Sequence, residues 1–214
     1  MHRNPQIDTY QQQAQALIEQ SLTIPQGYQY KSCMLVNHDA LPVFIFRYEK
    51  SDGTNNGLGG EHFSVSVDLQ ATKIMGFMHI ASEHCGPGLP DEESAKATAR
   101  ETLSRCAPDL EGRYEIKWVM PLKEKPEKIP HESPFPFSDA DGREHLVTGV
   151  RVKLFFPDLS SWGWVIVGRN GSVIAFEREV LWNDILGRRS TPAWLHDPYV
   201  IELNADIDAV ILAA

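Results

Sequence analysis

Trp162-Gly163-Trp164-Val165-Ile166-Val167 runs through Gly168-Arg169-Asn170-Gly171 into Ser172-Val173-Ile174-Ala175-Phe176. β-Branched and aromatic residues dominate both arms. The Asn170-Gly171 pair between them suits a tight hairpin turn, where positive φ is needed. The stretch therefore predicts a strand at Trp162–Val167 and a return strand at Ser172–Arg178. About 100 residues earlier, Val65-Ser66-Val67-Asp68 leads through Gln70–Thr72 to Ile74-Met75-Gly76-Phe77 in the same manner.

Working outward, each hairpin is preceded by further strand patterns and, before those, by a helix. Pro5 suits a first helical position after Asn4, and Tyr10, Ala14, Leu17, Ile18 and Leu22 recur at helical spacing. Pro25 and Gly27 stop this helix, and strands follow at Tyr28–Val36 and Pro42–Tyr48. Asp91 offers an N-cap to a second helix whose Ala95, Ala99, Leu103 and Cys106 share one face. Pro108 and Gly112 end it, and Tyr114–Met120 follows as a strand. Gly27 and Gly112, which close the two helix-to-strand connections, are 85 residues apart. Residues 121–145 carry five prolines among charges and read as an irregular insertion. Val147–Phe156 reads as a strand. Leu181-Trp182 and Ile185-Leu186 fit a short helix, and the apolar tail Val200–Ala214 fits a docking strand.

The expectation is an α+β fold of two tandem units, each a helix with a small antiparallel sheet that buries one face beneath it. The first unit spans 1–85. The second spans 86–214 and holds the Pro-rich insertion and a C-terminal extension. Such a repeated order points to duplication of one unit.

On Phe63–Asp68 leading to Phe77, and Trp164-Val165-Ile166-Val167 leading to Phe176, the chain resembles the PepSY-like and YcdB/YcdC-type repeats. The likeness covers roughly 150 of the 214 residues. It implies a duplicated PepSY-like or cystatin-like architecture and a binding or inhibitory module. It carries over no catalytic residue.

Composition narrows the function classes. Apolar residues make up 42% and charged residues 23%, so the chain is globular and not disordered. With 20 basic and 29 acidic side chains the net charge is −9, and both halves are acidic. Nucleic-acid binding is disfavoured, and a basic protein partner is suited. Membrane association is not expected, because no run is long and apolar enough. Met1-His2-Arg3-Asn4-Pro5-Gln6 has no apolar core of a signal peptide. Cys33, Cys85 and Cys106 form no CxxC pair. Both features predict a cytoplasmic protein with thiols.

The densest ligand-type cluster is His79, Glu83, His84 and Cys85, in which His79, His84 and Cys85 offer Zn²⁺-type donors. Cys106 or His131 would complete the set, but the spacing is no standard zinc pattern. Gly59-Gly60-Glu61-His62 pairs a flexible loop with an acid and a base, yet adjacent strand residues point to opposite faces. Asp139-Ala140-Asp141-Gly142 fails as a calcium loop, because its glycine is two places early and its twelfth position is Val150. No Gly-x-Ser-x-Gly or His-Glu-x-x-His occurs. The C-terminal region concentrates Trp162, Trp164, Trp182, Arg188, Arg189, Trp194 and His196, the types that dominate interfaces. The leading expectation is a non-enzymatic binding protein that engages a protein partner there, inhibitor- or immunity-like. The alternative is a metal- or small-ligand-binding protein or enzyme. Its site would lie between the two units, near His62, His79, His84 and Cys85.

Overall fold

The computed structural model describes residues 5–122 and 135–203. A helix α1 (Pro5–Ser21) precedes four strands: β1 (Tyr28–His38), β2 (Leu41–Lys50), β3 (His62–Asp68) and β4 (Ile74–Ile80). A second helix α2 (Glu92–Cys106) precedes β5 (Glu115–Pro121), β8 (Val150–Phe156), β9 (Ser161–Val167) and β10 (Val173–Val180). Between β5 and β8 lies a small hairpin of β6 (Phe135–Ser138) and β7 (Glu144–Val147). After β10 come a two-stranded β11 (Trp182–Asn183) and β12 (Arg188–Arg189), then a short helix α3 (Asp197–Glu202).

The fold is α+β. Eight strands form one antiparallel sheet in the order β1-β2-β3-β4-β10-β9-β8-β5. Each half is a meander, and the last strand of one lies beside the last strand of the other. The edges are β1 and β5, where Lys31, Lys117 and Glu115 place charge along the open strand. Charged edges resist pairing with another chain.

Helix α2 starts where Asp91 predicts it: the carboxylate accepts a hydrogen bond from the Ser94 amide at 2.8 Å. The helices lie on one face of the sheet. Ala14 and Ile18 of α1, and Ala95, Ala99 and Leu103 of α2, pack with Phe44, Phe46, Phe63, Val65, Phe77, Val152, Val165 and Phe176. Alanine at the helix contacts permits close approach to the strands, and period-two alternation supplies the other half of the core.

The expectation of a sheet buried on one face only fails. The opposite positions, among them Ile45, Met78, Trp164, Ile166 and Ala175, form a second buried cluster with Phe137, Val147 and Leu195. The β6–β7 hairpin and the chain after β10 supply that cover. Two local expectations also fail. The residues expected as a short helix form the β11–β12 hairpin instead. Leu186 N–H bonds to the Asn183 side chain at 3.0 Å, and Gly187 takes φ +61°, both of which favour a turn. Val200 belongs to α3 and not to a strand, and 204–214 lie outside the described residues. Part of the insertion is ordered as β6 and β7, and 123–134 of it lie outside the described residues.

The two halves meet through Met78↔Ala175, Phe77↔Phe176 and Gly76↔Glu177. A Cβ on Gly76 would lie 2.6 Å from the Phe176 carbonyl oxygen and 3.1 Å from Leu195 Cδ1. We predict that Gly76→Ala destabilises the fold by about 1–3 kcal/mol, the usual cost of overpacking. Urea unfolding checks this, and a midpoint equal to the parent's would refute it.

Candidate functional site

The face away from the helices carries a cavity of about 1040 Å³. This lies at the upper end of the size of small-molecule sites. Its floor comes from both halves of the sheet: His62 and Met78 of β3 and β4, and Lys153 and Trp164 of β8 and β9. Its walls are the β11–β12 hairpin, with Trp182 and Arg188, and the chain from Ser190 to Tyr199. The strands place these side chains by alternation. Val150, Val152 and Leu154 point to the helices, so Arg151 and Lys153 point to the cavity.

Cations and indoles interleave there. Lys153 is only 8% exposed, and its ammonium lies 4.6 Å from the Trp162 ring centre, 4.7 Å from Trp118 and 5.0 Å from Trp182. Trp164 receives two guanidinium groups, Arg189 at 5.6 Å and Arg151 at 6.0 Å. Each such contact contributes about 0.5–2 kcal/mol.

Glu177 of β10 anchors one wall. The residue is 3% exposed, and its carboxylate accepts from Arg189 at 3.0 Å and from His196 at 2.7 Å. Burial would raise its pKa, but Arg189 and His196 outweigh that and hold the carboxyl below the usual range. Arg189 also donates to the Thr191 carbonyl at 2.9 Å, which fixes the wall segment.

A second network fixes the other wall. Arg47 of β2 binds both Asp197 oxygens at 2.8 and 3.1 Å, and Glu49 at 2.8 Å. The Gly59 amide donates to Asp197 at 2.7 Å, and Arg47 donates to the Gly57 carbonyl at 2.7 Å. The glycine loop before β3 is thus clamped to α3. Burial raises the Asp197 carboxyl, and His62 and Arg47 pull it below its ordinary value.

His62 lies 2.8 Å from the Ser64 hydroxyl and 3.6 Å from Asp197. These three do not make a catalytic triad. Ser64 is buried and is not in the cavity wall, and Asp197 is already held by Arg47 and Gly59. Glu61 turns the other way, to Lys50 and to the Ser82 amide, each at 2.5 Å. The expected divergence of Glu61 and His62 is what the strand produces.

The structure gathers Trp164, Trp182, Arg188, Arg189 and His196 around one cavity. Trp162 adjoins it through Lys153. Trp194 stands apart from the lining: its indole N–H donates to the Asn37 carbonyl at 2.8 Å. Reading the sequence missed Arg47, Glu49, Arg151, Lys153, Glu177 and Asp197. A signal existed for most of them. Phe46-Arg47-Tyr48-Glu49 and Val150-Arg151-Val152-Lys153-Leu154 set charges at alternate places inside apolar strands, a pattern that buries those charges on the second face.

His79, Glu83 and His84 come together on the helix side, and their ligand atoms lie within 4.8 Å of one another. This arrangement can hold a metal ion. Cys85 leaves the group and bridges to Val147, packing against the other core cluster. The Cys106 thiol points to the Ser21 carbonyl at 3.8 Å. His131 lies outside the described residues. Asp139 closes the β6–β7 turn, accepting from the Asp141 and Arg143 amides at 2.9 Å each.

Comparison with protein-family models, curated proteins and solved structures finds no match.

Four buried histidines share one electrostatic direction. Burial pushes His62 down to about 4 and His79 down to about 3, and lowers His38 and His84 as well. In the unfolded chain each takes up its proton near pH ~6.5. The unfolded state therefore binds more protons below that pH, and folding stability falls as pH drops from about 6.5 toward 4. We predict a lower Tm at pH 5 than at pH 7.5, followed by circular dichroism. A Tm that holds or rises on acidification would contradict this.

Proposed function

We propose that the protein binds a small molecule in the cavity between its two halves, and that the ligand joins a flat apolar group to an anionic one. The carrying observation is the cavity of about 1040 Å³ whose wall and floor interleave Trp164 and Trp182 with Arg151, Lys153 and Arg188. Indole faces accept flat apolar groups, and guanidinium groups take carboxylate or phosphate in forked hydrogen bonds. Both networks that shape the walls, Arg189–Glu177–His196 and Arg47–Asp197, hold ready-made positions, which lowers the ordering cost of binding.

We further propose that the two helix-plus-meander halves descend from one duplicated unit of PepSY-like or cystatin-like type. The mirrored strand order about β4 and β10 supports this. Among the described residues, no helix is long and apolar enough to cross a membrane. A cytoplasmic location is supported by three cysteines that form no disulfide.

A protein partner is the second reading. It is favoured by Ile185 at 96% exposure, beside the half-exposed Leu186, at the tip of the β11–β12 hairpin on the cavity rim. Native mass spectrometry of protein isolated from its own cells separates the two. We predict a small-molecule mass increment that Trp182→Ala weakens about tenfold (~1.4 kcal/mol). A stoichiometric protein adduct would install the second reading. A bare chain that also ignores anionic aromatic probes would remove the first.

A further inference from the structure

The geometry points to a site for a borderline divalent transition ion, Zn²⁺ in the first instance, formed by His79, Glu83 and His84. It lies on the helix side of the sheet and is independent of the cavity.

The backbone builds it in two steps. His79 comes from the end of β4. The chain then makes a 3₁₀ turn, Ser82–His84, which brings residues 83 and 84 back toward residue 79. Glu61 fastens this turn by accepting the Ser82 amide at 2.5 Å, while Lys50 and Asn55 hold Glu61 in place at 2.5 and 2.8 Å. The turn is thus positioned by a buried, fully bonded carboxylate rather than by chance contact.

The imidazoles are arranged for ligation. His84 Nε2 faces His79 Nδ1 at 2.9 Å, and a Glu83 oxygen lies 3.8 Å from His84 Nε2. Around an ion with Zn–N bonds of 2.0–2.1 Å, ligand atoms of a tetrahedron stand about 3.3 Å apart. To admit the ion the two nitrogens separate by about 0.4 Å, and each ring turns so that its lone pair swings from the N···N line toward the ion. The outer partner of His84 is also in place. Ser172 donates its own hydroxyl proton to the Arg169 carbonyl at 2.9 Å, so it accepts from His84 Nδ1–H at 3.3 Å. That bond leaves the lone pair of His84 on Nε2, toward His79. Metal-bound histidines are oriented by such a partner on the remote nitrogen. Without an ion, His79 Nδ1–H donates to His84 Nε2. Moving that proton to His79 Nε2, a buried nitrogen without a hydrogen-bond partner, frees both lone pairs with no net loss of protons, at the cost of one unpaired N–H that the bonds to the ion must outweigh.

Chemistry selects the ion. Two imidazoles and one carboxylate suit Zn²⁺ or Co²⁺, whereas Ca²⁺ and Mg²⁺ take oxygen and Cu⁺ takes sulfur. The Glu83 side chain is 69% exposed, so the ion enters from solvent and water completes its coordination.

The test uses the full chain, stripped with chelator and titrated with Zn²⁺ by calorimetry, with Co²⁺ as a visible-absorption probe. The expected result is one Zn²⁺ per chain and the intense absorption of four-coordinate Co²⁺. His84→Ala should abolish both. Glu83→Gln, at an exposed position that leaves the fold intact, should weaken Zn²⁺ at least tenfold. Ser172→Ala, which removes the acceptor of His84 Nδ1–H together with the bond to the Arg169 carbonyl, should weaken it about 10–100-fold. Absence of uptake by the parent would overturn the site. So would equal affinity in the folded Glu83→Gln variant.

Discussion

The pairing of β4 with β10 is the constraint on which the rest depends. It is three residue pairs long, and Gly76 makes it possible, because any side chain there would strike the Phe176 carbonyl. Two meanders become one sheet at this seam. Leu195 lies over the bare backbone of Gly76, and the opposing residue is Glu177. A carboxylate that remains ionised while buried must be compensated. Arg189 and His196 provide that compensation, and both come from the chain that folds back over the sheet. The missing side chain at position 76, the charge at 177 and the walls of the cavity are thus linked.

The two faces of the sheet use different physics. On the helix side, apolar side chains and alanine contacts form a continuous core, with polar groups at its margins: His79 with His84 at one, and the buried Arg178 paired with Asp109 at another. On the other side, Arg47, Glu49, Arg151, Lys153 and Glu177 sit among methionine, isoleucine and tryptophan. Their charges are held by one another or by indole faces. Pairs of this kind are costly to break and contribute geometry more than net stability. This mutual pairing explains how so much charge is buried in a sheet of ordinary size.

Much of the fold was legible because it follows local rules. Asp91 caps α2, Asn170-Gly171 turns β9 into β10, and the strand alternation sets which residues face the helices. The site was legible in residue type but not in arrangement. The tryptophans and arginines of the C-terminal region were evident, but their convergence with His62 and Lys153 depends on a sheet order that no local pattern encodes. His79 and His84 were found by proximity in sequence. Cys85 was wrongly grouped with them, because one residue along an extended chain reverses the side chain's direction. The β11–β12 hairpin was missed because Leu181-Trp182 and Ile185-Leu186 happen to fall at helical spacing while Asn183 and Gly187 impose a turn.

The Arg47–Asp197 pair joins residues 150 positions apart. A ribosome delivers the chain from the N-terminus, so β2 and the glycine loop emerge long before their acidic partner does. Contacts of such wide sequence separation form late, since the entropy of closing the intervening chain must be overcome first. Until α3 arrives, Arg47 holds only Glu49 and the Gly57 carbonyl, and the Gly59 amide lacks its carboxylate partner. The cavity is therefore the last part of the molecule to be assembled, and a nascent or C-terminally shortened chain would possess the sheet without the walls that Ser190–Tyr199 supply.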